Sequence, residues 1–357
     1  LITDPSKTSP KRYLELDALR GFAAMFVMLF HYTQGKVSTK FFALGVTGVD
    51  LFFLISGFVI FMSINHVASG REFVINRVAR LYPTYWACVS ITFGVMVFLR
   101  MIHFNAVHDS NAGVANYLGN LTMFQYYLHI KDLDVPYWTM IIEMLFYLLI
   151  LALYQLKWLK HIITIGCLFN ILILVNYALV VRVVIPNYNV YFPLVNHFAL
   201  FFGGIVFYKI ATQSISIPAG YSMLVFCLIT QITVYRFAGS DPDHISQLQY
   251  FGVLLLYFTL FVLFINEKLR FIISAPAVFL GKISFALYLI HSYIFRGVIG
   301  FAEKRFHLPF WIATLLIAIP AAILLAYLIT AFIEKPLGKK LKSMLNASLN
   351  TRHPIKN

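Results

Sequence analysis

Apolar residues recur along this chain in ten runs separated by short polar segments: 14 to 34, 44 to 65, 82 to 104, 138 to 156, 159 to 180, 190 to 210, 218 to 237, 246 to 266, 278 to 301 and 310 to 333. Runs of about 20 residues cross a bilayer when wound as helices, and the period-two alternation of barrel strands is absent. The pattern predicts an all-α polytopic transmembrane protein of about ten membrane-spanning helices. The first run, from Leu14, is too long and too charged for a signal-peptide core and reads as an uncleaved helix. The connection from about His103 to Pro136 holds a semi-apolar piece, Tyr117 to Leu128, too short to cross; it is expected at the interface or folded back over the outer face.

Composition agrees with the bilayer as solvent. The 357 residues are 60% hydrophobic and 12% charged, with a mean hydropathy of +0.80, too apolar for a soluble domain of that length. A net charge of +14 suggests nucleic acid at first, but the Lys and Arg residues sit between and beside apolar runs, as topology signals do. Seventeen fall on one side and nine on the other, which predicts both termini cytoplasmic and excludes a nucleic-acid partner. Cys88, Cys167 and Cys227 lie inside runs without metal-ligand spacing, so neither a disulfide nor a metal is expected. A cytoplasmic segment 1–13, one membrane domain 14–336 and a basic cytoplasmic tail 337–357 complete the division.

Ionisable residues inside spans are costly in lipid and mark function by default. Arg20 and His31 are eleven residues apart on the first predicted helix, which returns them to nearly one face, about 16 Å apart along the axis. Counting from span ends, His31, Asp50, Glu143, His197 and His291 fall in the middle-to-outer zone. A neutral imidazole beside a carboxylate is a general base, and His31 with Asp50 or Glu143 fits that description. A structural imidazole fits His31 equally well, and for His197 the structural reading is preferred. Asp17 stands three residues before Arg20, close enough to pair with it on a helix; an arginine facing a polar interior also binds anionic or carbonyl oxygen. Arg77 and Arg80, one turn apart as the third span begins, are spaced as a phosphate clamp, although inner arginines often serve as anchors. Tyr82, Tyr85, Trp86, Tyr137 and Trp138 read mostly as interface belt.

These residues sit in blocks that resemble the acyltransferase 3 family of membrane acyltransferases. The blocks are Leu16-Asp17-Ala18-Leu19-Arg20-Gly21 running to His31, Gly48-Val49-Asp50 through Gly57-Phe58, Arg77-Val78-Ala79-Arg80-Leu81-Tyr82-Pro83, Trp138 through Glu143 to Tyr147, Ser284 through His291, and Glu334-Lys335-Pro336. The arginine, ten-residue gap, histidine arrangement is the family's hallmark. Thr139-Met140 departs from its more usual Ser-Leu, and no proline closely follows His291.

The resemblance implies ten helices, a cytoplasmic acyl-coenzyme A donor, usually acetyl-CoA, and transfer to a hydroxyl, often on a surface polysaccharide or a glycolipid such as a lipopolysaccharide O-chain, in a bacterial inner membrane. It assigns His31, Asp50, Glu143 and Arg20 to catalysis and Arg77 and Arg80 to the donor, with His291, Asp17, Tyr82 and Trp138 as substrate-binding or structural polar groups. Many relatives carry a soluble hydrolase-like domain after the last helix, so here transfer is expected to be completed by the membrane domain or by a separate protein. Membrane lipid, acyl-CoA and a glycan acceptor are the implied partners. The competing reading is a transporter or flippase exporting a lipid-linked sugar or small acid through the same buried charges. Inverted repeats with broken helices in matching halves, which would favour it, are not found, although Gly203-Gly204 and Pro320 are read as interrupting single helices.

Overall fold

A computed structural model describes residues 12–35, 37–102, 113–178, 191–235 and 241–350. Lys7, Lys11, Lys36, Arg182, Arg236, Arg352 and Lys356, counted above in the charge bias, lie outside the described residues. Twelve helices follow in order: α1 Leu14–Thr33, α2 Gly48–Ile64, α3 Gly70–Met101, α4 Val114–Asn120, α5 Trp138–Gln155, α6 Ile162–Ala178, α7 Phe198–Ala211, α8 Ile217–Val234, α9 Gln247–Ile265, α10 Ala275–Ile290, α11 Tyr293–Phe306 and α12 Phe310–Ala347. Among the described residues there is no strand.

Seven of these helices are long and apolar enough to cross a membrane, and eight spans result if the bent pair α10 and α11 counts as one. The protein is thus an all-α polytopic membrane protein, with seven or eight such spans among the described residues rather than a clear ten. Asp17, Arg20 and His31 dilute the hydropathy of α1, and α7 is only 14 residues long. The run at 278 to 301 is a helix broken by 77° after Ile290. Helix also outruns hydropathy: α3 starts at Gly70, twelve residues before its apolar run. Pro320 does not end α12, which passes through π-helical turns at Ala313–Ala318 and Thr330–Glu334.

The chain forms two compact units, one of Leu1–Gly70 with Ile142–Gly281, the other of Arg71–Ile141 with Lys282–Asn357. In the first, α2 and α7 run parallel at very close range. A Cβ on Gly57 would lie 2.0 Å from the Phe201 carbonyl oxygen, and one on Gly204 would lie 2.2 Å from that of Leu54. Gly203-Gly204 therefore does not interrupt α7; bare backbone there lets the two helices touch, as small residues do between membrane helices. Phe201 bridges onward, its ring 4.8 Å from Phe53 of α2 and stacked 4.2 Å from Phe146 of α5. The base of α1 packs on the start of α10, where a Cβ at Gly281 would meet the Asp17 carbonyl at 1.9 Å.

The second unit is organised by α3. The segment after residue 112 folds back along this helix: Tyr117 stacks on Phe93 at 4.6 Å and its hydroxyl lies 2.9 Å from that of Ser90. Trp86 Nε1 donates to the Leu121 carbonyl at 2.9 Å and the Tyr82 hydroxyl to that of Thr122 at 3.1 Å. The contacts from Phe93 to Tyr82 cover about 16 Å of helix. Asn120 holds the segment to itself, donating to the Asn116 and Lys131 carbonyls at 2.8 and 2.9 Å and accepting from the Leu133 N–H at 3.1 Å. Tyr85 and Tyr137 are fully buried against each other, 5.4 Å between rings, and so are core rather than belt.

Candidate functional site

A buried acid–imidazole pairing of the first unit follows from its helix packing. Asp50 precedes Gly57 by seven residues, and His197 precedes Gly204 by seven. Seven residues are two helical turns, about 10 Å, returning to nearly the same face. Two parallel helices touching at the glycines therefore bring both side chains to one level. His197 Nδ1 lies 3.7 Å from Asp50 Oδ1, with the side chains only 3% and 2% exposed. Phe53 covers the imidazole, 4.9 Å between ring centres. His197, for which the sequence favours a structural reading, thus lies beside the buried Asp50 carboxylate.

The remaining predicted catalytic residues belong to the same unit. His31 is buried in the last turns of α1 with the Phe30 ring 4.9 Å away. Glu143 sits three residues before Phe146 on α5, and the Phe146 ring stacks on Phe201, four residues after His197. The hydroxyl of Tyr147, one turn along, donates to Glu143 Oε1. At the other end of α1, Asp17 accepts from Arg12 Nε at 2.7 Å and lies 3.9 Å from an Arg20 nitrogen. The i, i+3 pairing of Arg20 with Asp17 exists, and it is the longer of the two contacts.

The second unit holds the predicted donor residues. Arg77 lies over the Phe73 ring at 5.6 Å. Arg80 is exposed and within electrostatic reach of Glu334, and a Cβ on Gly338 would lie 2.8 Å from the Ala79 carbonyl oxygen. The closing Glu334-Lys335-Pro336 block is thereby tied to the Arg77-to-Pro83 block. Farther along α3, the Cys88 thiol lies 4.0 Å from the Ala286 carbonyl, and Tyr137 and Thr92 share a hydrogen bond at 3.3 Å. Tyr82 is committed to Thr122 and is a brace for the folded-back segment. His291 is fully buried at the break between α10 and α11, its Nδ1 2.8 Å from the Tyr288 carbonyl. Trp138 is half-buried at the start of α5.

Among the described residues no group of three or more His, Cys, Asp or Glu side chains is arranged to hold a metal ion. The arrangement offers imidazoles and carboxylates in one unit and guanidinium groups, hydroxyls and further carboxylates in the other. Such groups suit proton transfer and the binding of polar or anionic substrates.

Against known proteins, the acyltransferase 3 family model, described as an acyltransferase domain, matches residues 13–331. ORF330 of Acidianus two-tailed virus, an inferred acetyltransferase, is 24% identical over 303 residues, covering 79% of this chain and 84% of its own length. The exopolysaccharide production protein ExoZ of Rhizobium meliloti (strain 1021) is 38% identical over a local stretch of 71 residues, 20% of each chain. No solved structure matches the chain.

Proposed function

Because the chain belongs to the acyltransferase 3 family, we propose that it moves an acetyl group from cytoplasmic acetyl-CoA to a hydroxyl of a surface polysaccharide or lipid-linked sugar. The observation that carries this reading is the family match from 13 to 331 on helices that bury an imidazole 3.7 Å from a carboxylate. The acetyltransferase name of one relative supports the acyl group, and the exopolysaccharide name of the other supports the acceptor. In this reading α1 and α7 also cross the membrane, giving ten spans with both termini cytoplasmic in a bacterial inner membrane. The membrane domain is 14–336 and the tail 337–357 is basic and cytoplasmic.

Arg77 and Arg80 hold the phosphates of the donor at the cytoplasmic end, and Arg20 positions the thioester or polarises its carbonyl. His31 takes the proton of the acceptor hydroxyl as the oxygen attacks the acyl carbon. Asp50, held in turn by His197, and Glu143 stabilise the imidazolium that forms. The carbon–sulfur bond then breaks, the ester bond remains, and the proton passes to the departing CoA thiolate. Membrane vesicles given acetyl-labelled CoA and crude surface glycan test the proposal: label should enter glycan with the wild type and not with His31→Ala. Translocation of sugar or lipid without any transfer of label would replace it with the transporter reading.

A further inference from the structure

Asp134 closes the folded-back segment of the second unit and does something the proposed chemistry does not use. Its Oδ1 accepts from the Val135 N–H at 2.8 Å, and both carboxylate oxygens take the Tyr293 N–H, at 3.1 and 3.0 Å. One carboxylate therefore caps two helical segments, the turn that leads into α5 and the first turn of α11. Helix α10 ends at Ile290, and the Tyr293 N–H, one residue past Ser292, is given to Asp134 instead of to the α10 ladder. The break leaves a cavity of about 400 Å³ lined by Asp132, Asp134, Trp138, Ser292, Tyr293 and Arg296.

The lining has a consistent chemistry. Asp134 is nearly filled by the backbone and forms the wall. Asp132 Oδ1 accepts from Gln125 Nε2 at 2.7 Å, so its carboxylate is fixed in direction while its second oxygen keeps acceptor capacity. Arg296 is exposed and presents a planar fork of donors. Trp138 supplies a half-buried aromatic surface beside them. Acceptor, donor and aromatic face together suit a ring that carries hydroxyls on its rim and C–H groups on its face. The volume lies at the small end of ligand sites, about 300–1,000 Å³. With two carboxyl groups against one guanidinium, the cavity has no positive excess and does not favour phosphate, sulfate or uronate, unlike the arginine pair at Arg77 and Arg80.

We propose that this cleft is a carbohydrate subsite that binds one neutral pyranose ring of the acceptor, with Asp132 accepting from ring hydroxyls, Arg296 donating to them and Trp138 stacking on the ring face. The inference rests on the acyltransferase reading for the word acceptor, but binding can be measured without any donor. Full-length protein in detergent is titrated calorimetrically with a panel of neutral methyl hexosides, namely methyl glucoside, galactoside and mannoside, and with glucuronate. At least one hexoside should bind, about tenfold more weakly to Arg296→Gln and to Asp132→Asn, as expected when a hydrogen bond to a charged group is lost. Glucuronate should bind at least as weakly as the hexoside does to these variants. The proposal is overturned if no hexoside binds, if both variants bind as the wild type does, or if glucuronate binds as tightly. Arg296 is exposed, so its variant should keep the wild-type melting temperature. If hexosides bind but no acetyl ever reaches a glycan, the cleft stands and the acyltransferase reading falls. If transfer proceeds with an unchanged acceptor KM in both variants, the cleft falls and that reading stands.

Discussion

The two units bury polar groups in different ways. In the first, an acid and an imidazole lie deep between two helices: Asp50 and His197 face each other two turns from the glycines at which α2 and α7 touch, and His31 is buried in the last turns of α1. In the second, polar groups follow one another along α3, from Arg77 and Arg80 with Glu334, past Tyr85, Cys88 and Thr92, with Asp132 and Asp134 on the segment folded against that helix. Dry, close-packed pairs are suited to proton transfer, because their geometry is fixed and their field is little screened. A row of guanidinium groups, hydroxyls and carboxylates is suited to holding an extended polar substrate. On the proposed function, kcat belongs to the first unit and KM to the second, and the following substitutions can break that division.

The largest effect is expected at His31. Removing a general base costs about 10²–10⁴ in rate, so His31→Ala should lose kcat by that order while the melting temperature in detergent stays near the wild-type value. Full transfer by a well-folded His31→Ala protein would move the base elsewhere, with His197 the first candidate. Next comes the helix contact. A methyl at Gly204 must displace the Leu54 backbone oxygen 2.2 Å away, whereas one at Gly203 meets only side chains, at 3.3 Å. Gly204→Ala should therefore destabilise the protein by about 1–3 kcal/mol, the usual scale of overpacking, and reduce kcat by prying His197 from Asp50. Gly203→Ala should be close to silent in both thermal melts and transfer assays; equal effects from the two would show that the contact does not set the pair.

In the second unit, Arg77→Gln should raise the donor KM about tenfold with little change in kcat, the loss expected when a charge-assisted contact to phosphate is removed. A loss confined to kcat would erase the division between the units.

Parts of this layout were legible in the chain. Arg20, His31, Asp50 and Glu143 stood out because ionisable groups are expensive in apolar runs, and Arg77 and Arg80 because they repeat at one helical turn. His197 carries the same signal, but no sequence rule names its neighbour. The shared seven-residue offset from Asp50 to Gly57 and from His197 to Gly204 points to it once Gly57 and Gly204 are read as a helix contact. Asp134 escaped because it lies in a connection, where a carboxylate is cheap, and its second bond partner, Tyr293, is 159 residues away. Helix ends were misjudged for a simpler reason: hydropathy reports where lipid can surround a helix, not where the helix begins, so the basic first turns of α3 and the last turns of α12 extend beyond their runs. The shortfall from ten spans at α1 and α7 has the same root, because the polar residues and the glycines that serve the first unit are what keep these helices from reading as long apolar spans.

The last expected effect falls on stability alone, through its pH dependence. Burial pushes the Asp134 carboxyl up to about 7, against the opposing pull of the Tyr293 and Val135 N–H groups, the Ser292 hydroxyl and the Arg296 charge. In the unfolded chain the same group ionises near pH 4. Between these values the folded protein binds more protons than the unfolded one, so the contribution of Asp134 to stability is fully present below about pH 4 and is lost as pH rises to about 7. Asp134→Asn keeps an oxygen to accept from Val135 and Tyr293 but cannot ionise. Thermal melts of the two proteins in detergent from about pH 4.5 to about pH 9 should therefore show the wild type losing ground to the variant as pH rises and running parallel to it above about pH 8. Parallel curves over the whole range would mean that the carboxylate is already charged at the acid end and that the helix break at Ser292 is held by an ionised cap.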